Sequence, residues 1–514
     1  MTEGELILAG GALLAAGLGA SLFAARFRVP ALVIVLIAGM MIGSDGTGWI
    51  EFSDYEFART IGVIALALIL FEGGLASGWS EVGPVIRQAV SLAVLGTMGA
   101  AFITGLAAAW LFDFTTLEGL LLGSVLAATD AAAVFSVLRT STLRRKLART
   151  LEGESGMNDP VALLLVLGFI EWIQAPDYGV LDMTSLFAQQ LGIGLAAGVA
   201  IGFAGVELLK RSRLASGGLY PVATLAIAAV AYGLSDVAGG SGFLAVYLAG
   251  LVLGSREIPA RRTIAAFHEG VSWVAQVGLF FTLGLLVFPS QLADIALEAT
   301  ILAVILSVVA RPLATLVVTA PFRDYTLGER AVLGWAGMRG AVPVVLATFP
   351  VIERVPHSLE FFNIAFFAVL LSTVIQGTTL EPLARRLRMT TSTPALPRPL
   401  GESGTMQALG AEIVEYPVAR GDAIVGMHVR DLGLPRDALV NVIVRGGRAI
   451  APRGSTRVSA GDMLHVLVMQ TASSELYPLM ERWRKGPMRP EIAREEEVWM
   501  TMPVFRARRR DEED

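Results

Sequence analysis

Leu151-Glu152-Gly153-Glu154-Ser155-Gly156-Met157-Asn158-Asp159-Pro160-Val161-Ala162-Leu163-Leu164-Leu165 carries Glu154 and Asp159 into an apolar run that continues to residue 173. An ionisable residue near the centre of a membrane helix costs at least ~2.5–3.5 kcal/mol, so each such residue is a candidate for function. Helix geometry divides their roles. Ser155 and Asp159 are four apart and share a face, as do Glu154 and Asn158. Glu154 and Asp159, five apart, point about 140° away from each other. They cannot easily hold one ion together: one is expected to face the ion, the other to pair with a cation. Arg339, the Arg nearest the middle of a span, is the expected partner of Glu154 in a structural ion pair.

Outward from this stretch, runs of the roughly 20 apolar residues a bilayer demands recur up to residue 384. The sequence predicts thirteen spans, at 5–25, 29–43, 60–79, 88–111, 117–138, 151–173, 186–209, 218–235, 240–254, 269–288, 293–319, 328–350 and 360–381. Residues 5–25 are expected to persist, because the acidic opening MTEGE is not the basic head of a cleavable signal. Alternate connections are basic (Arg144, Arg145 and Lys146; Lys210 and Arg211; Arg261 and Arg262; Arg385 and Arg386), and the others are mostly acidic. Basic loops stay inside, which places the N-terminus outside and the C-terminus in the cytoplasm. Composition agrees: 54% of the 514 residues are hydrophobic and only 17% charged, against about 25% in soluble domains. The absence of Cys excludes disulfide scaffolds, thiolate catalysis and Cys-ligated metals, and four His leave little for a metal cage. A net charge of −5 does not suggest a nucleic-acid partner.

The other charges within spans are Glu72 in LILFEGGL and Asp130 in LAATDAAAVF, while Arg311, Glu171, Glu207 and Glu298 lie nearer span ends, where snorkelling accounts for them. The fifth and twelfth spans are interrupted by polar and small residues, Ala127 to Ala133 and Gly337 to Pro343, at matching places in blocks of opposite topology. Discontinuous helices in inverted repeats mark the binding site of a secondary transporter. Oxygens from Asp159, Ser155 and Thr129, with Glu72 a further candidate, suit a hard monovalent cation, whereas soft metals would want Cys, Met or His. If burial raises the pKa of Asp159, proton and cation compete for one carboxylate and exchange follows without covalent chemistry or a cofactor. Three rivals fare worse. An ion channel gated by the C-terminal part would need a carbonyl filter, and no TVGYG-like segment occurs. An intramembrane protease would need HExxH or a Ser with a buried His, and an organic-anion carrier would need Arg339 unpaired.

Residues 390–409 form a Pro/Ser/Thr/Gly linker, and 471–514 read as a charged tail. Between them, 410–470 alternate β-branched runs (AEIVEYPV, ALVNVIV, RAIAP, MLHVLVM) with turn residues, predicting a small cytoplasmic α+β domain. The fold class expected is therefore an all-α polytopic membrane protein, residues 1–389, with inverted repeats and two interrupted, crossing helices, followed by that domain.

The segments FEGGL, TDAAAVF, ESGMNDP and GMRGAVPVVLATFP, in that order between residues 71 and 350, resemble the NhaP-like monovalent cation/proton antiporters, and their wording is most similar to the bacterial potassium/proton branch. The resemblance implies a plasma-membrane exchanger of K⁺ or Na⁺ for H⁺ that acts in pH homeostasis as a homodimer. It implies Asp159 as the shared proton and cation carboxylate, and Asn158 as its neighbour in the Asn-Asp pair of the electroneutral class. Thr129 and Ser155 complete the ion site, Glu72 is an acid nearby, and Asp130 lies at the helix crossing. Ala131 departs from the Pro that often follows the Thr-Asp pair, which bears on how far that helix unwinds. Residues 410–470 are similar to the C-terminal half of the potassium-conductance regulator domain (RCK_C, TrkA-C-like), which implies regulation by a nucleotide or other small-molecule effector. No GxGxxG follows a strand there, so an NAD-binding half is not expected.

Overall fold

The computed structural model describes residues 3–27, 31–129, 143–212, 214, 216–390, 411–446 and 448–486. These form two units, one spanning Met1–Leu396 and the other Pro397–Asp514. The first is helical: α1 (Glu3–Phe27), α2 (Ala31–Ile42), α3 (Tyr55–Ser77), α4 (Gly83–Leu111), α5 (Thr116–Ala127), α6 (Arg145–Gln174), α7 (Val180–Arg211), α8 (Leu219–Val237), α9 (Gly242–Gly254), α10 (Arg261–Leu285), α11 (Ile295–Thr319), α12 (Leu327–Trp335), α13 (Ala341–Ile352) and α14 (Ser358–Arg386). Among the described residues eight helices are long and apolar enough to cross a membrane, and five shorter apolar helices accompany them. Large apolar side chains such as Leu8, Leu22, Trp110, Leu181 and Val237 are exposed on the outside, as a hydrocarbon surround requires.

The helices pack as two groups. One holds α1, α2, α3, α7, α8, α9 and α10, the other α4, α5, α6 and α11 to α14; they meet where α6 and α13 face α3, α7, α9 and α10. Within a group, glycines let backbones touch: a Cβ on Gly74 would strike the Tyr247 carbonyl on α9, one on Gly284 would strike the Leu36 carbonyl on α2, and one on Gly123 would strike the Ala101 carbonyl on α4. Without a hydrophobic drive between helices in lipid, such close approach supplies the dispersion contact that holds them.

Two helices stop in mid-unit. The helix α5 opens with a capping box between Thr115 and Glu118 and ends at Ala127, where Ala128 turns extended. After α12 closes at Trp335, residues 336–340 are non-helical and α13 begins at Ala341. Pro343 fits that first turn, where no intrahelical N–H is needed, and disfavours helical backbone just before it.

The second unit is a four-stranded antiparallel sheet of β1 (Ala411–Pro417), β2 (Ala438–Arg445), β3 (Arg448–Ile450) and β4 (Met463–Met469), in the order β1-β4-β2-β3. The helix α15 (Gln470–Lys485) closes its core with Leu476, Leu479 and Trp483. This corrects the boundary expected at residue 470. Charges dominate the composition after 471, but Trp483 is wholly buried and its Nε1 donates to the Leu432 carbonyl at 2.8 Å, so the domain extends through α15.

Candidate functional site

The site is built on α6 where Pro160 sits inside the helix. Proline has no N–H, so the Gly156 carbonyl loses its usual donor four residues on, and an oxygen is freed one turn from Asp159. Ser155, Asn158 and Asp159 are all buried. Across from them, just past the end of α5, Thr129 is fully buried. Its Oγ1 accepts from Asn158 Nδ2 at 2.5 Å and lies 3.3 Å from Ser155 Oγ. Three of the residues singled out from sequence, Thr129, Ser155 and Asn158, are thus in contact, and Asp159 shares its helix face with Ser155. The Asn158 side-chain oxygen has no hydrogen-bond partner among the described residues, so the cluster carries an unused acceptor in a buried place. Glu72 lies half-buried on α3, in the other helix group. Asp130 falls outside the described residues.

The other face of α6 differs from expectation. Glu154 forms its ion pair with Arg311 Nη2, and both side chains are about 1% exposed. The expected partner, Arg339, instead serves the backbone: Nε donates to the Leu126 carbonyl at 2.8 Å, Nη1 donates to the Gly337 carbonyl, and the Arg339 N–H donates to Ser372 Oγ at 3.2 Å. Thr373 Oγ1 donates to the Arg339 carbonyl at 2.6 Å, and Ser372 Oγ donates to Gln376 Oε1 at 2.6 Å. Arg339 therefore caps the end of α5 with a charged donor while α14 holds the break before α13. Both are answers to carbonyls and amides orphaned where helices stop in a dry interior.

Arg311 lies off the centre of its span, where the sequence alone places it at the interface; the structure buries it. A π-helical turn, Ile305–Ala310, immediately precedes it. One added residue in a turn rotates the rest of the helix by about 100°, which carries Arg311 inward. Gly337 makes room for both guanidinium groups, since a Cβ there would meet Arg311 Nε at 2.6 Å and Arg339 Nη1 at 2.8 Å. An arginine followed by Pro312 within an apolar run was the available signal. Sequence reasoning also passes over Glu152, which is 2% exposed, accepts from Arg149 Nη1 at 2.5 Å and from Ser77 Oγ at 2.9 Å, and lies seven residues before Asp159 on the same face. Among the described residues no group of His, Cys, Asp and Glu is arranged to hold a metal.

Buried hydroxyl and amide groups on the turn that carries a buried carboxylate, in an apolar bundle where two helices break, fit a membrane transporter. Residues 12–386 match the family model for the transmembrane sodium/hydrogen exchanger, and the chain belongs to that family. It is accordingly a secondary transporter of the antiporter class, not an enzyme. Residues 413–480 match the TrkA-C domain. The chain is 36% identical over 494 residues to a protein named K(+)/H(+) antiporter NhaP2 of Shewanella baltica, covering 95% of this chain and 85% of the relative. It is 36% identical over 471 residues to K(+)/H(+) antiporter NhaP of Alkalimonas amylolytica, covering 90% of this chain and 80% of that one. Its fold is similar to the solved sodium proton antiporter MjNhaP1 of Methanocaldococcus jannaschii, with a TM-score of 0.64 and 22% identity, over 74% of this chain and 99% of that one.

Proposed function

We propose that this antiporter exchanges a cytoplasmic monovalent cation, K⁺ in preference to Na⁺, for H⁺ across the bacterial plasma membrane. The observation that carries this is the buried cluster of Thr129, Ser155 and Asn158 beside Asp159, built from oxygens that suit a hard cation. Asp159 binds either the cation or a proton, so loading one releases the other and the cycle is 1:1 and electroneutral. Asn158 orients the Thr129 hydroxyl, Ser155 supplies a further oxygen, and Glu72 adds negative potential from the facing group. The preference for K⁺ rests on the names of the two relatives above.

Thirteen crossings, with the N-terminus outside, the TrkA-C domain in the cytoplasm and α5 and α12–α13 as the broken members of inverted repeats, agree with the distribution of basic loops. The working form is a homodimer, and an effector of the nucleotide or small-molecule class acts on residues 410–470. The test is cation-induced dequenching of a ΔpH-reporting dye in proteoliposomes, with K⁺, Na⁺ and Li⁺, on wild type and Asp159→Asn. Response in wild type with none in the variant supports the assignment; retained exchange in Asp159→Asn removes Asp159 from the centre of it.

A further inference from the structure

Where the two helix groups meet, the glycines receive single side chains instead of backbone. Gly62 on α3 receives Val345 of α13, Gly168 on α6 receives Met183 of α7, and Gly156 on α6 receives the ring of Tyr247 of α9. The last sits between Ser155 and Asp159 in the chain, so the side chain of one group rests directly on the ion-binding turn of the other. Tyr247 is 1% exposed, and its hydroxyl has no hydrogen-bond partner among the described residues. One turn away, toward the end that carries the basic loops, Glu152 of α6 accepts from Ser77 of α3 across the same boundary.

Two features mark this contact as made to open. The Ser77 hydroxyl has one hydrogen but two acceptors in reach, Glu152 Oε1 at 2.9 Å and the Gly73 carbonyl of its own helix at 2.7 Å. Glu152 in turn keeps Arg149, which travels with it on α6. Separation of α3 from α6 therefore orphans neither group, unlike the rupture of most buried hydrogen bonds. The unpartnered Tyr247 hydroxyl acts the other way, because it is a buried polar group that this conformation leaves unsatisfied.

We propose that Ser77, Glu152 and Tyr247 are positioning residues that form a releasable tie between the two helix groups and set how long the ion-binding turn of α6 rests in this conformation. Alternating access by movement of one bundle against another requires some such contact to be made and broken in each cycle. The proposal rests on the exchange reading above for its kinetic consequence, but its structural part can be read without transport.

The test uses the full chain with Ser77→Ala and, separately, Tyr247→Phe. Loss of one hydrogen bond to a charged acceptor shifts a two-state equilibrium about tenfold. Ser77→Ala is expected to speed hydrogen–deuterium exchange in residues 73–82 and 145–157, and Tyr247→Phe, which deletes the unsatisfied hydroxyl, to slow it. In oriented proteoliposomes the ratio of cation half-saturation on the two faces should move about tenfold in opposite directions for the two variants, at unchanged folded yield. Unchanged deuteration in both variants, or shifts of the same sign, overturns the tie. Opposed deuteration shifts in a protein that does not exchange ions would uphold the tie and reject the exchange reading instead.

Discussion

Glu154 and Asp159 lie five residues apart on α6, both buried, on different faces of the helix. The Glu154 face meets a full positive charge, Arg311, at about 1% exposure on both sides. Ser155, one turn before Asp159, lies 3.3 Å from the Thr129 hydroxyl, which accepts from Asn158. A carboxylate matched by a guanidinium is neutralised for good. On the exchange reading proposed above, Asp159 is the carboxylate that a proton or a cation answers. The 3.6-residue period turns Glu154 away from Asp159, so these two acids meet different surroundings.

The largest effect is expected where the buried charge of Glu154 is disturbed. Arg311→Ala strands the buried Glu154 charge and is expected to cost ~3–5 kcal/mol, seen as a large loss of folded yield and thermal stability in detergent. Arg311→Met with Glu154→Leu should recover most of that stability, since an apolar pair of similar volume avoids the desolvation of two ions. If the double variant also exchanges ions, the pair is structural, as the comparison holds; a stable but inactive double variant moves it into transport.

Arg339→Ala removes the donor to the Leu126 carbonyl and is expected to cost ~1.5–3 kcal/mol as the broken end of α5 loses its charged cap. Because that end leads directly to Thr129, cation half-saturation should rise along with the loss of melting temperature. Thr129→Val is smaller and more specific: it keeps the shape, strands Asn158 Nδ2 at ~1–3 kcal/mol, and should raise the cation half-saturation with little change in folded yield. An unchanged half-saturation in Thr129→Val would take the hydroxyl out of the site.

The TrkA-C domain supplies a contrast. Asp462 is buried at the end of the sheet, which alone would raise its pKa, but Arg445 donates to both its oxygens at 2.7 and 2.8 Å and the Ser459 N–H donates at 2.8 Å, so its pKa is lowered overall. A lowered carboxylate pKa stabilises the fold fully above the ordinary value of about 3.9, and that stability is lost as pH falls through the lowered one. Between pH 6 and 8 this pair should therefore leave the domain's melting in the full chain flat. Asp462→Asn should lower its stability by ~1–2 kcal/mol, read by pulse proteolysis of residues 411–486.

Much of this was legible in the sequence because the membrane makes charge conspicuous. Ser155, Asn158 and Asp159 can be placed on faces of a helix by spacing alone, and Thr129 stands out as polar among alanines. The strands of the TrkA-C domain follow from β-branched runs between turns. The features that escape a sequence reading depend on tertiary placement. Arg311 escapes because a π-helical turn that residue spacing does not register shifts its face inward. Arg339 pairs with Glu154 on paper because the orphaned carbonyl of Leu126 that claims it exists only once α5 has stopped. The helix α15 is hidden because its charged surface outweighs Leu476, Leu479 and Trp483 in a count of residues. Glu152 is overlooked since its partner Ser77 is 75 residues away.

The proposed exchange has cation and proton compete for one carboxylate, Asp159, on α6. Its most direct test is the half-saturation constant for K⁺ measured across pH in proteoliposomes, with the maximal rate recorded at each pH. Competition at Asp159 predicts that the half-saturation constant rises about tenfold per pH unit on the acid side of the site's pKa while the maximal rate at saturating K⁺ stays constant. A half-saturation constant that does not move while the maximal rate collapses on acidification would place the two ions on separate groups and contradict the account.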